Sequence, residues 1–212
     1  MKLSVIGLGY VGLIQAAGMA KLGYNVIGID IDKNKIENIN NHVPPIYEKG
    51  LKELLQKIVP GKFIATDDME KAIKNSDVTF ICVGTPSKKQ GEMSLHQLEN
   101  VLKQLGQILK EKEYHIFVIK STVVPGTCEN IVIKRLEESS GKSHGKDFGV
   151  VMNPEFLREG EALEDFFEPD RVVLGSSDKK SLLTVKELYS SFNCPILLTE
   201  FKEAEMIKYA SN

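Results

Sequence analysis

Tryptophan is absent from these 212 residues, and cysteine occurs only three times. Cys82, Cys128 and Cys194 lie far apart, in an odd number and without C-x-x-C spacing, which suggests neither a disulfide framework nor a zinc site. A reducing compartment, the cytoplasm, fits best. No charge of one sign dominates, since 27 Lys and Arg face 29 Asp and Glu for a net −2. With no long basic block, a nucleic-acid partner is not expected. No apolar run approaches the ~20 residues that span a bilayer, so no membrane partner is expected either. Lys2 and the apolar stretch ending at Ala20 superficially resemble a secretory signal, but three regularly spaced glycines, Tyr10 and Gln15 interrupt it. Low-complexity segments and internal repeats are also missing. What remains is ordinary globular composition, 42% apolar and 26% charged, in a length suited to one large domain or one domain with an appendage.

Secondary-structure signals alternate. Residues 2–6 (KLSVI) read as a buried strand, YVGLIQAAGMAKLG as a helix ending at Lys21 and Gly23, and NVIGID as a second strand. Gly12, Ala16 and Ala20 recur every fourth residue, giving that helix one face of small side chains to lie close to a sheet. This opening is a βαβ unit with parallel strands. The alternation continues through KFIAT, DDMEKAIKN, VTFICV, SLHQLENVLKQLGQILKEK, HIFVIK, a helix near 127–138, FGVVM, RVVLG, KSLLTVKELYSSF and PILLT. The expected fold class is therefore α/β, a doubly wound, mostly parallel sheet of Rossmann-like, dinucleotide-binding type. SSGKSHGK (139–146) reads as a surface loop rather than a domain boundary.

Gly7, Gly9 and Gly12 form G-x-G-x-x-G directly after a strand and at the start of a helix. The pattern serves a tight turn, close approach of a pyrophosphate to backbone, and close helix packing, with the helix amino terminus offering N–H groups to the phosphates. Asp30 ends the second strand 18 residues beyond Gly12, close to the ~20 expected of a carboxylate that binds the adenosine ribose hydroxyls. An acidic residue there favours NAD over NADP. Lys33 and Lys35 either soften that preference or simply form a solvated first helical turn. Ligands of such sheets gather at the carboxyl ends of strands. Gly84, Thr85 and Pro86 follow one strand, Ser121 and Thr122 another, and Asn153 to Glu159 a third. The hydroxyls there serve either a ligand or helix capping, and Glu155 and Glu159 either a ligand or a solvated helix start.

GLGYVG, PPIYEKGL (44–51), VGTP (83–86), KSTVVPGT (120–127), NPEFLREG (153–160), PDRVVLG (169–175) and EAEMIKYASN (203–212) together carry a resemblance. The chain resembles the UDP-glucose/GDP-mannose dehydrogenase family of nucleotide-sugar 6-dehydrogenases, and most of all its UDP-glucose branch. The resemblance covers essentially the whole chain, and NPEFLREG and PIYE-x-GL are far more specific than the glycine pattern.

That resemblance implies a four-electron oxidation: C6 of UDP-glucose, or of a related sugar nucleotide, gives two hydrides to NAD by way of a cysteine thioester that water releases as UDP-glucuronate. It implies that Tyr10 and Val11 lie with the three glycines at the cofactor, Val11 giving its N–H to the pyrophosphate. Asp30 and Lys35 would bind the adenosine ribose, and Thr85, Thr122 and Glu159 would line the nicotinamide side. Glu155 and Thr122 would orient or activate water, Phe156 and Leu157 would face the sugar nucleotide through their backbone, and Lys208 and Asn212 would stabilise an oxyanion. It further implies a homo-oligomer for the full-length form. One departure is severe. The family's nucleophilic cysteine sits in a G-G-x-C-x-P-K-D phrase that none of the three cysteines matches, each reading better as packing or helix start. The expected organisation is an NAD-binding domain over 1–199 and, over 200–212, the start of a connecting helix cut before a substrate-binding domain. Dehydrogenases of GDP-mannose or UDP-N-acetylmannosamine share the early motifs and stay open as alternatives, although PDRVVLG leans toward UDP-glucose. A non-catalytic NAD-binding module also stays open, but it has no need of Glu155, Lys208 and Asn212.

Overall fold

A computed structural model of the chain describes residues 1–87 and 93–211. It forms two compact units, one of Met1–Cys82 with Phe156–Asp170, the other of Val83–Glu155 with the stretch from Arg171 onward. Both are built from the expected alternation, and the fold class is the mostly parallel, doubly wound α/β type.

In the first unit, β1 (Lys2–Ile6), β2 (Asn25–Ile29), β3 (Phe63–Thr66) and β4 (Val78–Ile81) lie in the order β3-β2-β1-β4, all parallel. Leu3, Val5 and Phe80 have no exposed surface, as a sheet covered on both faces requires. Helix α1 (Tyr10–Lys21) joins β1 to β2 and buries every residue from Gly12 to Ala20. The small-residue face is thus one part of a helix wrapped all round. On another side Gly18 leaves room for the Phe166 ring, whose atoms would lie 2.2 Å from any Cβ placed there. Gly23, with φ of +101°, takes the left-handed conformation that stops the helix. Helix α2 (Lys33–Asn40) follows β2 and is capped by Asp32, whose side chain accepts from the Asn34 and Lys35 amides. Helix α3 (Leu51–Ile58) was not foreseen, although Leu51, Leu54, Leu55 and Ile58 carry the helical spacing. Helix α4 (Met69–Lys74) leads into β4 under an Asp68 cap.

In the second unit, α5 (His96–Leu109) precedes β5 (His115–Ile119). A π-helical segment, Cys128–Ile133, runs straight into α6 (Lys134–Ser140), where one continuous helix was expected. Strands β5 and β6 (Phe148–Met152) are parallel, whereas β7 (Val172–Gly175) meets β6 antiparallel through Met152 and Gly175. Helix α7 (Ala162–Phe167), also unforeseen, lies in the first unit. Helix α8 (Lys179–Leu188), capped by Asp178, then leads to β8 (Ile196–Thr199), which pairs parallel with β7.

Helix α9 (Phe201–Ser211) packs on β7 with Phe201 and Ala204 buried, and Gly175, opposite Ala204, is what permits the approach. A Cβ on residue 175 would stand 2.6 Å from both the Ala204 Cβ and the Glu200 carbonyl oxygen. Overpacking of this kind costs about 1–3 kcal/mol. Gly175→Ala is expected to lower the urea midpoint accordingly at unchanged m, and an unshifted midpoint would show that α9 is not held at this distance.

Candidate functional site

The first unit carries the glycine-rich turn. Gly7, with φ of +87°, donates its N–H to the Ile29 carbonyl at 2.8 Å, tying the turn to the end of β2. A Cβ on Gly12 would lie 1.7 Å from the Gly7 carbonyl oxygen, so only glycine lets the first turn of α1 come this close. Gly9 is different, because nothing lies within 4 Å of a Cβ built on it. It is the N-cap of α1 without any side-chain cap, and the first turn holds no acidic residue. By contrast α2, α4 and α8 close their amino termini with aspartate. The opening amides of α1, those of Tyr10, Val11 and Gly12, have no helical acceptor, and they stand with the positive end of the helix dipole beside open space. That arrangement fits a pyrophosphate.

Asp30 lies just past β2 and is buried. One carboxylate oxygen accepts the Leu8 N–H and the Lys35 ammonium, both at 2.8 Å, and the other accepts the Asp32 N–H at 3.0 Å. Burial opposes ionisation, but Lys35 and the two amides outweigh it and hold Asp30 below the usual carboxylate range. The carboxylate is therefore charged and fixed, with lone pairs left for ribose hydroxyls. Lys35 is neither a free cation nor part of a purely solvated turn, since its charge sits against Asp30. Lys33 is largely exposed, 3.8 Å from Asp67.

Tyr10, at the first turn of α1, belongs to a cluster that the sequence did not disclose. Its hydroxyl donates to Glu48 of the PPIYEKGL phrase and accepts the Gly160 N–H at 2.8 Å, while Gly160 also approaches Glu48 at 3.1 Å. Burial and the Glu48 carboxylate push the Tyr10 phenol up to about 12. This cluster ties the dinucleotide turn to the NPEFLREG loop, in which Phe156 and Leu157 are half-buried and Glu159 is exposed. Arg158 anchors the same loop to Asp165 at 2.6 Å. The only forewarning was the unusual PPIYEKGL phrase itself.

In the second unit the residues after the strands hold one another. The Thr85 hydroxyl donates to the Thr122 carbonyl and the Ser121 hydroxyl to the Val83 carbonyl, each at 2.7 Å, so neither caps a helix. Asn153 accepts from the Lys120 ammonium at 3.1 Å and the Tyr189 hydroxyl at 2.6 Å, and donates to the Val173 carbonyl at 2.9 Å. Two residues on, Glu155 forms an ion pair with Lys208 of α9 at 2.9 Å, the two side chains only 13% and 10% exposed. Glu155 is thus no solvated helix start. Asn212 lies outside the described residues. Burial, then the Glu205 carboxylate, raises the Cys128 thiol well above its ordinary value, and burial also raises Cys194, which makes both poor nucleophiles at neutral pH. Among the described residues no group of three or more His, Cys, Asp and Glu side chains is placed to hold a metal ion, and no helix is long and apolar enough to cross a membrane.

A parallel βαβ unit with an uncapped, glycine-opened helix and a fixed carboxylate at the end of β2 defines a dinucleotide-binding dehydrogenase domain. Residues 1–193 match the model of the UDP-glucose/GDP-mannose dehydrogenase family, NAD binding domain, and the chain belongs to that family. NAD is its cofactor. The whole chain aligns with 49% of a GDP-mannose 6-dehydrogenase of Pseudomonas syringae at 46% identity, and with 50% of a UDP-glucose 6-dehydrogenase of Haloferax volcanii at 41%. A crystal structure of a GDP-mannose dehydrogenase ternary complex from Pseudomonas aeruginosa superposes with a TM-score of 0.98 at 45% identity, over 100% of this chain and 49% of that one. The chain spans about half the length of the curated relatives it matches.

The two inner glycines are expected to fail differently. Gly9→Ala should leave thermal stability nearly unchanged while a methyl at the phosphate approach lowers NAD affinity by at least ~10-fold. Gly12→Ala should destabilise the fold itself by ~1–3 kcal/mol or more. Calorimetric titration and thermal melts separate the two, and full NAD affinity in Gly9→Ala would move the pyrophosphate elsewhere.

Proposed function

We propose that this chain supplies the cofactor-binding part of an NAD-dependent sugar-nucleotide 6-dehydrogenase acting on GDP-mannose. The observation that carries the catalytic reading is the secluded Glu155–Lys208 pair at 2.9 Å. A non-catalytic NAD-binding module has no use for an ammonium and a carboxylate held together out of water. In the proposed reaction a primary alcohol at C6 becomes a carboxylate, one water is consumed, and two NAD are reduced. NAD, when bound, accepts the hydride in each of the two oxidations.

The chain's own residues orient and stabilise. The α1 amides, that of Val11 among them, hold the pyrophosphate, and Asp30 receives the adenosine ribose hydroxyls. The Lys208 ammonium donates to the C6 oxygen as negative charge develops there, a service worth most in a dry, pre-arranged setting. Glu155 accepts a proton from the water that ends the reaction. Thr85, Thr122 and Glu159 serve the nicotinamide side, the backbone of Phe156 and Leu157 faces the sugar nucleotide, and Asn212 is assigned with Lys208 to the oxyanion.

For the substrate, the relatives weigh against the UDP-glucose preference drawn from PDRVVLG. The GDP-mannose relative and structure stand at 46% and 45% identity, above the UDP-glucose relative at 41%. The last four residues of PDRVVLG also have another explanation, for they form β7, whose Gly175 admits α9 whichever sugar is bound. UDP-glucose stays the second reading on the strength of that 41% relative.

In the protein expressed from its whole gene, NADH formation with saturating NAD is expected to show kcat/KM for GDP-mannose at least ~10-fold above that for UDP-glucose, the difference that 1.4 kcal/mol of transition-state binding produces. A reversed ratio would assign the enzyme to UDP-glucose. Glu155→Gln should slow release by water and so accumulate a covalent sugar-nucleotide adduct visible by intact-protein mass spectrometry. Normal turnover with an unmodified spectrum would remove Glu155 from the mechanism.

A further inference from the structure

Glu205 has none of its surface exposed, and the proposed chemistry makes no use of it. A buried carboxylate is costly unless every oxygen is answered. Here Oε2 accepts the Gly126 N–H at 2.5 Å, Oε1 accepts the Cys128 N–H at 2.7 Å, and the Cys128 thiol adds a further hydrogen bond. The two amides belong to one turn, the opening of the π-helical segment, more than seventy residues away along the chain. Two bonds from one planar group to two fixed donors leave α9 little freedom to slide or to roll. Phe201 and Ala204 anchor the same helix by apolar contacts that tolerate small rotations, and Lys202 reaches Glu129 at 3.1 Å only through an exposed, flexible side chain.

Lys208 follows Glu205 by three residues on the same helix, and so projects from nearly the same face. The chain two residues before its partner Glu155 is fixed independently, because Asn153 is held by Lys120, Tyr189 and the Val173 carbonyl. The roll of α9 is therefore the coordinate that decides whether the ammonium meets the carboxylate. At the roughly 5–6 Å radius of a helix with side chains, a roll of about 20° carries a group through about 2 Å. That displacement would break the 2.9 Å contact between Lys208 and Glu155. We infer that Glu205 is the positioning residue of the Lys208 ammonium, acting through the roll of α9 rather than by touching substrate. The inference rests on the proposed role of Lys208 for its effect on rate, but not for its effect on where Lys208 lies.

The test uses the protein expressed from its whole gene. Glu205→Gln keeps size and shape but turns an amide NH2 toward one of the two N–H donors. Labelling with an N-hydroxysuccinimide ester, mapped by peptide mass spectrometry, should show Lys208 reacting at least ~10-fold faster than in the unaltered protein, with exposed Lys57, on a different helix, as the internal reference. The kcat should fall by ~10²-fold, the loss expected for about 1 Å of misplacement, with KM and NAD affinity changed less than ~3-fold. Glu205→Asp, which keeps the charge but is one methylene short of spanning both amides, serves the same two readouts if the glutamine variant does not accumulate. Unchanged Lys208 labelling in a folded variant overturns the inference. Faster labelling at unchanged kcat sustains the positioning role and instead removes Lys208 from the chemistry, a result that Lys208→Met with normal turnover would corroborate.

Discussion

At the turn from β1 into α1, the carbonyl oxygen of Gly7 occupies the space where any other residue at position 12 would carry its side chain. This close approach governs the rest of the first unit. It brings the amino terminus of α1 against the end of β1, so that amides with no helical acceptor face the point where a phosphate can stand. It also places Tyr10 where Glu48 and Gly160 converge, and it lets Leu8 offer its amide to Asp30. The cofactor turn is thus a steric solution first and an electrostatic site second.

Polar groups that are buried and fully answered recur wherever the chain must place a functional side chain. Asp30 is held by two amides and an ammonium, Asn153 by an ammonium, a hydroxyl and a carbonyl, and Glu205 by two amides and a thiol. Such groups are expensive when unpaired and strongly directional when paired. Apolar packing sets the distance between a helix and a sheet, as Gly175 and Ala204 do for α9, whereas these networks set rotation. Catalysis is sensitive to the second kind of precision, because about 1 Å of misplacement can cost ~10²-fold in rate.

Lys35 shows how a local network alters an argument made from charge alone. Asp30 read by itself repels a 2′-phosphate. With an ammonium at 2.8 Å, the pair presents much less net charge, so discrimination depends more on where the fixed carboxylate oxygens point than on long-range repulsion. The PDRVVLG phrase makes a similar point about substrate, since the last four residues of a segment that looked diagnostic of one sugar nucleotide form a strand whose Gly175 admits a helix.

The β1–α1–β2 opening, the glycine pattern, Asp30 and the alternation of strands with helices are legible from the residues alone, because they depend on spacings within about thirty residues and on propensities that act locally. The sequence also carried, through its motifs, the family and most of the residues at the ends of the strands. Helix α3 carried a helical spacing that went unread, whereas that β7 runs antiparallel to β6, that α7 exists as a helix and that a π-helical segment opens α6 emerge only in the folded chain, since each depends on which surfaces are available to cover. The same holds for the contacts that matter most at the candidate site. Glu155 and Lys208 lie 53 positions apart, and Glu205 reaches amides more than seventy positions away. No periodicity encodes such pairs, because their energies arise only once the chain has removed them from water and brought them within hydrogen-bond distance.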